Sequence, residues 1–363
     1  MKQKVQRFLD NFRFIFQPRR KPLLITRIAS SYIKYIIYGA LEKKPLRNID
    51  IALNYACNLA CRHCSCEALK SSDTVLSEAQ YSQLAGEAVK LGAIYFAFTG
   101  GEPLVNKNLE DIIRLFFPSR SLIGLQTNAL LLNTSRIESL YKAGVDVLQV
   151  SLDSFDPDEH DSFRNKKGAF RETLKNVDMA FLRGIKIIFS VTFTHNNIKS
   201  EGILNLLSFS ARSNIPVVVS IPCPVGKWSG NFSEMFDNDD REYFALMQKR
   251  FPHLRRDFDS NYLKCGCSAG IEKLYITPYG DVIPCPFIHI SFGNIKTESL
   301  SSIRNRMLKL EKFREYNQVC LAGEDRTFIE NYIIPTYKAK QLPQMWKDHP
   351  VLSKSLKENY KET

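Results

Sequence analysis

Four cysteines lie close together near the start of the chain. The segment ALNYACNLACRHCSCEA holds Cys57, Cys61, Cys64 and Cys66, with His63 among them. Thiolates at such short spacing suit a disulfide, a zinc ion or an iron–sulfur cluster. Structural zinc sites usually draw their ligands from two separated pairs, whereas three cysteines on an iron–sulfur cluster leave one iron free to bind another molecule. The rest of the chain must decide between these sites.

The other cysteines are spread over the second half of the chain. Nine cysteines in 363 residues is an odd number in a large protein, which does not fit a small secreted disulfide framework. The sequence shows no secretory signal with a small-residue cleavage site. We therefore expect a cytosolic protein whose thiols serve metal binding or catalysis. The remaining cysteines are Cys223, Cys265, Cys267, Cys285 and Cys320.

The formal net charge of +12 is concentrated at the start of the chain. Residues 1–48 hold twelve Lys or Arg against two acidic residues, and the rest of the chain is nearly neutral. Such an arm on a neutral body does not favour a nucleic-acid-binding fold. The stretch from Leu23 to Leu41 is apolar, but Arg27 and Lys34 make it a poor membrane span. We expect an amphipathic helix that packs on the protein itself, or one that brings residues 1–45 to a membrane surface.

From residue 49 onward, apolar strand-like runs alternate with amphipathic helical stretches. Near-continuous Val, Ile and Leu runs separated by helices are typical of a parallel sheet covered by helices. Six such units fit an α/β barrel, in which the chemistry lies at the carboxyl ends of the strands. The runs are NIDIALNY, AIYFAFTG, SLIGLQTN, VDVLQVSLD, IKIIFSVTFT and IPVVVSIP.

Several helix boundaries between these runs carry recognisable caps. Ser77 and Gln80 have capping-box spacing, and so do Ser135 and Glu138. Glycines before the following strand-like runs predict where three helices end. These glycines are Gly92, Gly144 and Gly184.

The chain changes character after the sixth run. A connecting helical segment, 226–259, leads to a cysteine-containing region, 260–325, with short strand-like pieces and no helical periodicity. The charged tail, 326–363, is expected to form a surface helix and a frayed end. The sequence thus predicts an α/β fold: a basic arm over 1–48, a partial (β/α)6 TIM-type barrel over 49–225, and a small β-rich cluster-binding C-terminal domain.

The barrel region resembles the radical S-adenosylmethionine (radical SAM) enzymes. Cys57, Cys61 and Cys64 have the C-x3-C-x2-C spacing of that family. Further family elements follow in order: GGEP, then TNA where the family has TNG, then VSLDSFDPDEHDSFRN, which is similar to the family's VSLDG…HDxxRG region. The resemblance covers roughly residues 49–225.

This resemblance implies a [4Fe–4S] cluster on the three cysteines, with S-adenosylmethionine (SAM) bound to the fourth iron through its methionine amino and carboxylate groups. Reduction of the cluster would cleave SAM to methionine and a 5′-deoxyadenosyl radical, which abstracts a hydrogen atom from the substrate. Reduced flavodoxin or ferredoxin is the implied electron donor. The residues implied to bind SAM are His63, Thr99, Gly100, Gly101, Glu102, Asn128, Ser151, Arg164 and Thr192.

Roles for some of these residues follow from their chemistry. Glu102 is expected to accept from the methionine amino group, and Arg164 to pair with the methionine carboxylate, assisted by Ser151. Thr192 would reach the ribose hydroxyls, and His63 stands where the family usually carries an aromatic residue near the adenine. Ser151 and Thr192 could equally be ordinary strand-end hydroxyls.

The second cysteine region resembles the SPASM extension of certain radical SAM enzymes, or its shorter twitch form. The pattern C-x12-G-x4-C runs from Cys267 through Gly280 to Cys285, and only Cys320 follows it. A full SPASM domain has a further cysteine-rich stretch and two auxiliary clusters. The resemblance therefore implies one auxiliary [4Fe–4S] cluster on Cys265, Cys267, Cys285 and Cys320, with either or both of the first two as ligands. A zinc site built from the same residues is the alternative.

The sequence thus predicts a radical SAM oxidoreductase or maturase-type enzyme acting on a peptide, a small molecule or a lipid-linked substrate. The alternative is a metal-stapled binding module, with zinc or a structural iron–sulfur cluster, on RNA; Glu102 and Arg164 at the barrel mouth count against it. Cys66 is expected to be a small buried residue. Cys223 is open to three interpretations: a buried strand-end residue, a substrate-binding group or an extra cluster ligand.

Overall fold

The structure, a computed structural model, describes residues 21–40, 45–257 and 266–359. Strands and helices alternate through most of the chain. The strands are β1 (Asn48–Ala52), β2 (Tyr95–Thr99), β3 (Leu122–Thr127), β4 (Val147–Ser151), β5 (Lys186–Thr192), β6 (Val217–Ser220), β7 (Leu254–Arg256), β8 (Lys273–Ile276), β9 (Val282–Ile283), β10 (Ile290–Ser291) and β11 (Gln344–Met345). The helices are α1 (Pro22–Ala40), α2 (Glu78–Lys90), α3 (Leu109–Leu115), α4 (Thr134–Ala143), α5 (Pro157–Arg164), α6 (Ala169–Leu182), α7 (Glu201–Ser213), α8 (Asn238–Arg250), α9 (Leu300–Met307), α10 (Arg326–Phe328) and α11 (Leu352–Asn359).

A nine-stranded sheet forms the centre of the molecule, in the order β7-β6-β5-β4-β3-β2-β1-β8-β9. The six predicted strands are present as β1 to β6, and each pairs in parallel with its neighbour in sequence. Buried aliphatic and aromatic side chains alternate along these strands with smaller, polar or half-buried residues, as Ile187, Phe189 and Val191 do in β5. The predicted α/β fold with a partial (β/α)6 barrel is confirmed, and parallel order places the loops after β1 to β6 at one end of the sheet.

The C-terminal region extends the barrel sheet as well as forming its own small elements. Strand β8 pairs in parallel with β1, and β9 pairs antiparallel with β8. The Lys273 ammonium lies 3.0 Å from the Asp50 carboxylate across this pairing. Strand β7, at the other edge, was not predicted. A partial barrel leaves main-chain hydrogen-bonding groups exposed at its two edge strands, β1 and β6. Here β8 pairs with β1 and β7 pairs with β6, so these groups are hydrogen-bonded.

The helix caps agree with the sequence at most positions. Ser77 and Gln80 form the predicted capping box at the start of α2. Gly144 ends α4 in the left-handed conformation, with φ 100°. The predicted cap at Ser135 is wrong, because Asn133 precedes α4 and accepts from the Arg136 N–H at 2.8 Å. Asparagine is among the best N-cap residues, so the helix begins two residues earlier than its serine suggests.

The described part of the N-terminal arm lies against the barrel. The Lys21 ammonium is 2.5 Å from the Asp146 carboxylate and 3.1 Å from the Gly144 carbonyl oxygen. Arg27 donates to the Ala93 carbonyl oxygen at 2.7 Å. These acceptors precede β2 and β4, so the start of α1 packs at the amino ends of the strands, away from the cysteine loop. None of the described helices is long and apolar enough to cross a bilayer. Membrane contact through residues 1–45 stays a prediction, and 1–20 and 41–44 lie outside the described residues.

The C-terminal tail contributes to the core, which differs from the predicted surface helix. Phe328, Ile333, Leu352 and Leu356 are all buried in the main hydrophobic cluster. Burying each such side chain stabilises the fold by about 1.5–3 kcal/mol. In the sequence, the many lysines and glutamates of this segment obscure the pattern of its apolar residues, so its packing against the core is not predicted.

Candidate active site

A cavity of about 230 Å³ lies at the carboxyl ends of the barrel strands. It is bordered by the loops that follow β1, β2, β3 and β4, as expected for chemistry in an α/β barrel. The predicted residues in its lining are Cys57, Cys61, His63, Cys64, Thr99, Gly100, Gly101, Glu102, Asn128, Ser151 and Arg164. Side chains far apart in the sequence, from residues 57 to 164, therefore meet around one space.

Two glycines after β2 allow the cysteine loop to pack closely. A Cβ atom at Gly100 would lie 2.1 Å from the Asn54 carbonyl oxygen, and one at Gly101 would lie 2.3 Å from that of Ala56. The Gly101 N–H donates to Asn54 at 2.8 Å, and the next N–H, of Glu102, donates to Ala56 at 2.9 Å. These bonds fix the start of the cysteine loop against the end of β2, and no larger residue would fit there.

Glu102 is a buried carboxylate held by three donors. Its oxygens accept from the Thr127 hydroxyl at 2.7 Å, the Asn128 N–H at 2.8 Å and the Leu104 N–H at 3.1 Å. The residue is 1% exposed. Burial raises the pKa of Glu102 to about 7, although the three donors oppose that rise. The carboxylate is therefore fixed in position and is close to its titration point at neutral pH.

The pKa of Glu102 predicts a pH-dependent stability. Because the folded-state pKa of about 7 is above the unfolded value of about 4.3, protonation of Glu102 favours the folded state. This contribution to the free energy of unfolding is complete below about pH 4 and is lost as pH rises to about 7. From pH 5 to 8 the free energy of unfolding of the cluster-free protein should fall by about 2–3 kcal/mol more than that of Glu102→Gln. Urea denaturation at each pH measures this. Parallel pH profiles for the two proteins would contradict the buried charge.

Arg164 is held by Asp153 and directed toward the cysteine loop. Its Nε lies 2.5 Å from the Asp153 Oδ2, and its NH1 group lies 3.8 Å from the Cys61 sulfur. Burial opposes the charge on both partners, but each holds the pKa of the other in its ionised range, raising that of Arg164 and lowering that of Asp153. The other Asp153 oxygen accepts from the Thr192 N–H at 3.1 Å. The N-cap of helix α5 is Asp156, and Asp153 serves to position Arg164.

Of the nine residues predicted to bind SAM, all within the described part of the chain, Thr192 is the one that does not line the cavity. Its backbone is engaged on both sides: its N–H donates to Asp153, and its carbonyl oxygen accepts from the Asn197 amide at 2.9 Å. Thr192 thus supports the carboxylate that holds Arg164. Its predicted contact with ribose hydroxyls stays a prediction.

His63 lies in an aromatic cluster beside the cavity. Its ring stacks on Phe163, with ring centroids 4.5 Å apart and an interplanar angle of 17°, and the Trp228 ring is 6.0 Å away. Burial, together with the nearby Arg164 guanidinium, holds the pKa of His63 well below its usual range. The neutral ring offers a flat surface near the cysteine loop, as the predicted adenine contact requires.

The turn after β6 also packs on the cysteine loop, which sequence reasoning missed. The Lys227 N–H donates to the Cys64 carbonyl oxygen at 3.0 Å, and its ammonium donates to Ala60 at 3.1 Å. A Cβ atom at Gly226 would lie 2.3 Å from that Cys64 oxygen. The VGKW turn, residues 225–228, therefore holds the cysteine loop in place, although none of its residues belongs to the cavity lining.

Further polar and aromatic residues line the cavity without having been predicted. Gln126, Gln149 and Ser190 point inward from β3, β4 and β5, and the Gln149 amide donates to the Ser190 hydroxyl at 3.1 Å. Their signal was a polar residue at alternate positions of an otherwise apolar strand. Residues from the C-terminal region complete the lining: Tyr275, Pro286 and Phe287.

The predicted auxiliary cysteines form a second group next to this cavity. Cys267, Cys285 and Cys320 interact with one another electrostatically, and Cys265 lies outside the described residues. Burial raises the pKa of Cys267 and Cys285, and the N–H groups of residues 269 and 321 near Cys267, and of Phe287 near Cys285, oppose that rise. N–H groups directed at cluster sulfurs stabilise the thiolates and tune their reduction potential. Because Phe287 also lines the cavity, the two groups of cysteines are neighbours.

The spacing of the sulfur atoms bears on the choice of metal. Within 45–257 and 266–359, no three cysteine sulfurs lie within 4.8 Å of one another. A tetrahedral zinc site with Zn–S bonds of about 2.3 Å holds its sulfurs about 3.8 Å apart. In a [4Fe–4S] cluster each thiolate binds a separate iron, which places the sulfurs farther apart. The described thiols therefore do not converge as a preformed tetrahedral zinc site would, and all-thiolate donor sets are those that iron–sulfur clusters use.

Comparisons with known proteins agree with this geometry. The chain is 25% identical over 327 residues to an AdoMet-dependent heme synthase of Methanosarcina barkeri, covering 78% of this chain and 92% of that protein. It is 26% identical over 272 residues to the antilisterial bacteriocin subtilosin biosynthesis protein AlbA of Bacillus subtilis, covering 70% of this chain and 59% of AlbA. The crystal structure of Streptococcus suis SuiB bound to precursor peptide SuiA has a similar fold, with a TM-score of 0.61 at 17% identity over 88% of this chain and 79% of SuiB.

Two family models match separate parts of the chain. Residues 51–207 match the radical SAM superfamily, and residues 265–325 match SPASM, an iron–sulfur cluster-binding domain. The first match contains the cysteine loop and the strand ends that border the cavity, and the second contains the auxiliary cysteines. The chain belongs to the radical SAM superfamily and carries a C-terminal SPASM domain, so that its cofactors are a SAM-binding [4Fe–4S] cluster, SAM and an auxiliary iron–sulfur cluster.

Proposed function

We propose that this enzyme removes a hydrogen atom from a substrate held at the barrel mouth and thereby oxidises or otherwise modifies it. When bound, the reduced cluster and SAM supply the 5′-deoxyadenosyl radical that takes the hydrogen atom. The observation that supports this proposal is that three thiols, a fixed carboxylate and a fixed guanidinium border the same cavity. A purely structural metal module has no need of the last two groups.

The cysteine loop would hold the cluster through Cys57, Cys61 and Cys64. Glu102, fixed by its three donors, accepts from the methionine amino group of SAM. Arg164 has its Nε committed to Asp153 and keeps its terminal nitrogens toward the Cys61 side, where the methionine carboxylate would lie. Preorganised partners of opposite charge bind without the cost of reorganisation.

The C-terminal residues in the lining would exclude water from the reacting space. Tyr275 is buried beside Cys66 and Tyr55, and Pro286 and Phe287 border the cavity directly after Cys285. A primary carbon radical attacks nearby C–H bonds readily, so such a covered space protects both protein and substrate. The same segment carries Cys285, so an auxiliary cluster held there would lie beside the substrate space and would supply an electron acceptor for the substrate radical. Reduced flavodoxin or ferredoxin is the electron donor that we propose.

A peptide is the substrate class that we propose. AlbA is a biosynthesis protein for a bacteriocin, another relative at 22% identity is a sporulation killing factor maturation protein, and SuiB has been crystallised with a precursor peptide. Small molecules are a competing class, since the chain matches 76% and 92% of the length of two heme synthases. Lipid-linked substrates are another, suggested by the basic arm over 1–48.

A deuterium-transfer experiment separates these classes. The producing organism is grown in deuterated medium, and its extract is divided into peptide, small-molecule and lipid fractions. Each fraction is incubated anaerobically with the full-length enzyme, SAM and dithionite. We expect deuterium in 5′-deoxyadenosine from the peptide fraction alone.

Each other result has a definite meaning. Deuterium transfer from the small-molecule or lipid fraction alone would overturn the peptide proposal and leave the radical chemistry intact. Failure to form any 5′-deoxyadenosine, in protein that carries its clusters, would overturn the proposed reaction itself. A Cys61→Ala protein incubated with the same fractions gives the background.

A further inference from the structure

Cys223 lies in the same group of thiols as the auxiliary cysteines. It follows β6 directly, at the carboxyl end of the barrel, and is 4% exposed. Its thiol donates to the Ile221 carbonyl oxygen at 3.4 Å and lies within electrostatic range of Cys320 and Cys285. Cys267 in turn interacts electrostatically with Cys285 and Cys320. Four cysteines from four separate segments therefore lie close together, with Cys223 and Cys267 buried and Cys285 and Cys320 half-buried.

The loop that carries Cys320 is shaped to reach Cys223. A Cβ atom at Gly323 would lie 3.2 Å from the Cys223 sulfur and 2.5 Å from the Pro222 carbonyl oxygen. Any larger residue at position 323 would collide with the main chain before Cys223. The glycine thus brings the two cysteine segments into direct contact.

Salt bridges and hydrogen bonds fix this contact. The Glu324 carboxylate accepts from the Cys320 N–H at 2.8 Å and pairs with Arg256 of β7 at 2.9 Å. The Tyr337 hydroxyl donates to the Pro224 carbonyl oxygen, next to Cys223. The two cysteine-bearing loops are therefore tied to β7 and to the segment around Tyr337, which fixes the positions of potential cluster ligands.

We propose that Cys223 is a ligand of the auxiliary cluster, which is held by Cys223, Cys267, Cys285 and Cys320. Four thiolates complete the coordination of a [4Fe–4S] cluster. Cys265, the fourth ligand implied by the sequence resemblance, is then dispensable. The barrel supplies one ligand and the SPASM domain three, so the cluster joins β6 to the C-terminal region.

The test counts iron in a protein that lacks the first cluster. The full chain with Cys57, Cys61 and Cys64 all replaced by alanine is reconstituted anaerobically and should bind about four irons. Adding Cys223→Ala should lower this to about three or fewer and change the electron paramagnetic resonance spectrum of the reduced protein. Adding Cys265→Ala, the matched control, should leave both unchanged.

A serine variant distinguishes the loss of a cluster ligand from misfolding of the protein. Cys223→Ser keeps the size of the side chain, and an oxygen ligand should give one iron of the cluster distinct Mössbauer parameters. Four equivalent irons in this variant, or about four irons and an unchanged spectrum in Cys223→Ala, would overturn the proposal. Because no SAM chemistry is measured, these results are independent of the proposed reaction.

Discussion

Cys61→Ala is expected to reduce 5′-deoxyadenosine formation to background. With three thiolate ligands, one iron of a [4Fe–4S] cluster stays open for SAM. Loss of one of the three therefore removes the cluster or its reactive site. Cys61 is also the thiol within 3.8 Å of the Arg164 guanidinium, which links the cluster to the predicted carboxylate contact. Anaerobic incubation with SAM and dithionite, followed by chromatographic measurement of 5′-deoxyadenosine, gives the rate.

Cys66→Ala is the matched control for this variant. Cys66 lies in the same loop and borders the same cavity, but its thiol contacts the Gly100 carbonyl oxygen at 3.4 Å and its position is outside the C-x3-C-x2-C spacing. We expect Cys66→Ala to retain the rate. Retained cleavage in Cys61→Ala would contradict the ligand assignment, and loss in Cys66→Ala alone would transfer that role to Cys66.

The sequence was sufficient for the barrel because its signals are local. Each of β1 to β6 is a short apolar run, and the capping box at Ser77 and the glycine at 144 act within one helical turn. Strand β7 has three residues, too few to show a period, and it pairs with the open edge of β6. Strand β8 lies in the region predicted to hold short strand-like pieces, but its four residues give no indication that it pairs with β1. Pairing with a distant strand leaves no local trace in the sequence.

Sequence motifs predicted most of the residues expected around the cavity, but not the contacts that hold them in place. Cys57, Glu102 and Arg164 belong to recognisable patterns, whereas Asp153 acquires its role only because Arg164 returns to it from the end of α5. Cys223 is the strongest example: its contact with Cys320 spans about a hundred residues and depends on how β6 lies beside the C-terminal loop. Such nonlocal contacts require the tertiary structure.

Glu102→Gln is expected to weaken SAM binding by about 10- to 100-fold. A hydrogen bond to a charged group contributes about 1.5–3 kcal/mol, and each 1.4 kcal/mol corresponds to about tenfold in Kd. The amide NH2 of glutamine must also face a donor, because the Leu104 and Asn128 N–H groups contact the two different carboxylate oxygens. Equilibrium dialysis with labelled SAM on the reconstituted, unreduced protein measures the Kd without turnover.

Glu67→Gln is the control that separates a positioned carboxylate from general negative charge. Glu67 also borders the cavity, but its side chain is 49% exposed and pairs with Lys70. Exposed ion pairs contribute little, so this variant should bind SAM within about twofold of the wild type. Equal weakening in both variants would mean that the cavity attracts SAM through its overall charge. An unchanged Kd in Glu102→Gln, with the iron content intact, would show that Glu102 does not bind SAM. The buried carboxylate would then serve only to hold Thr127 and the chain that follows β3.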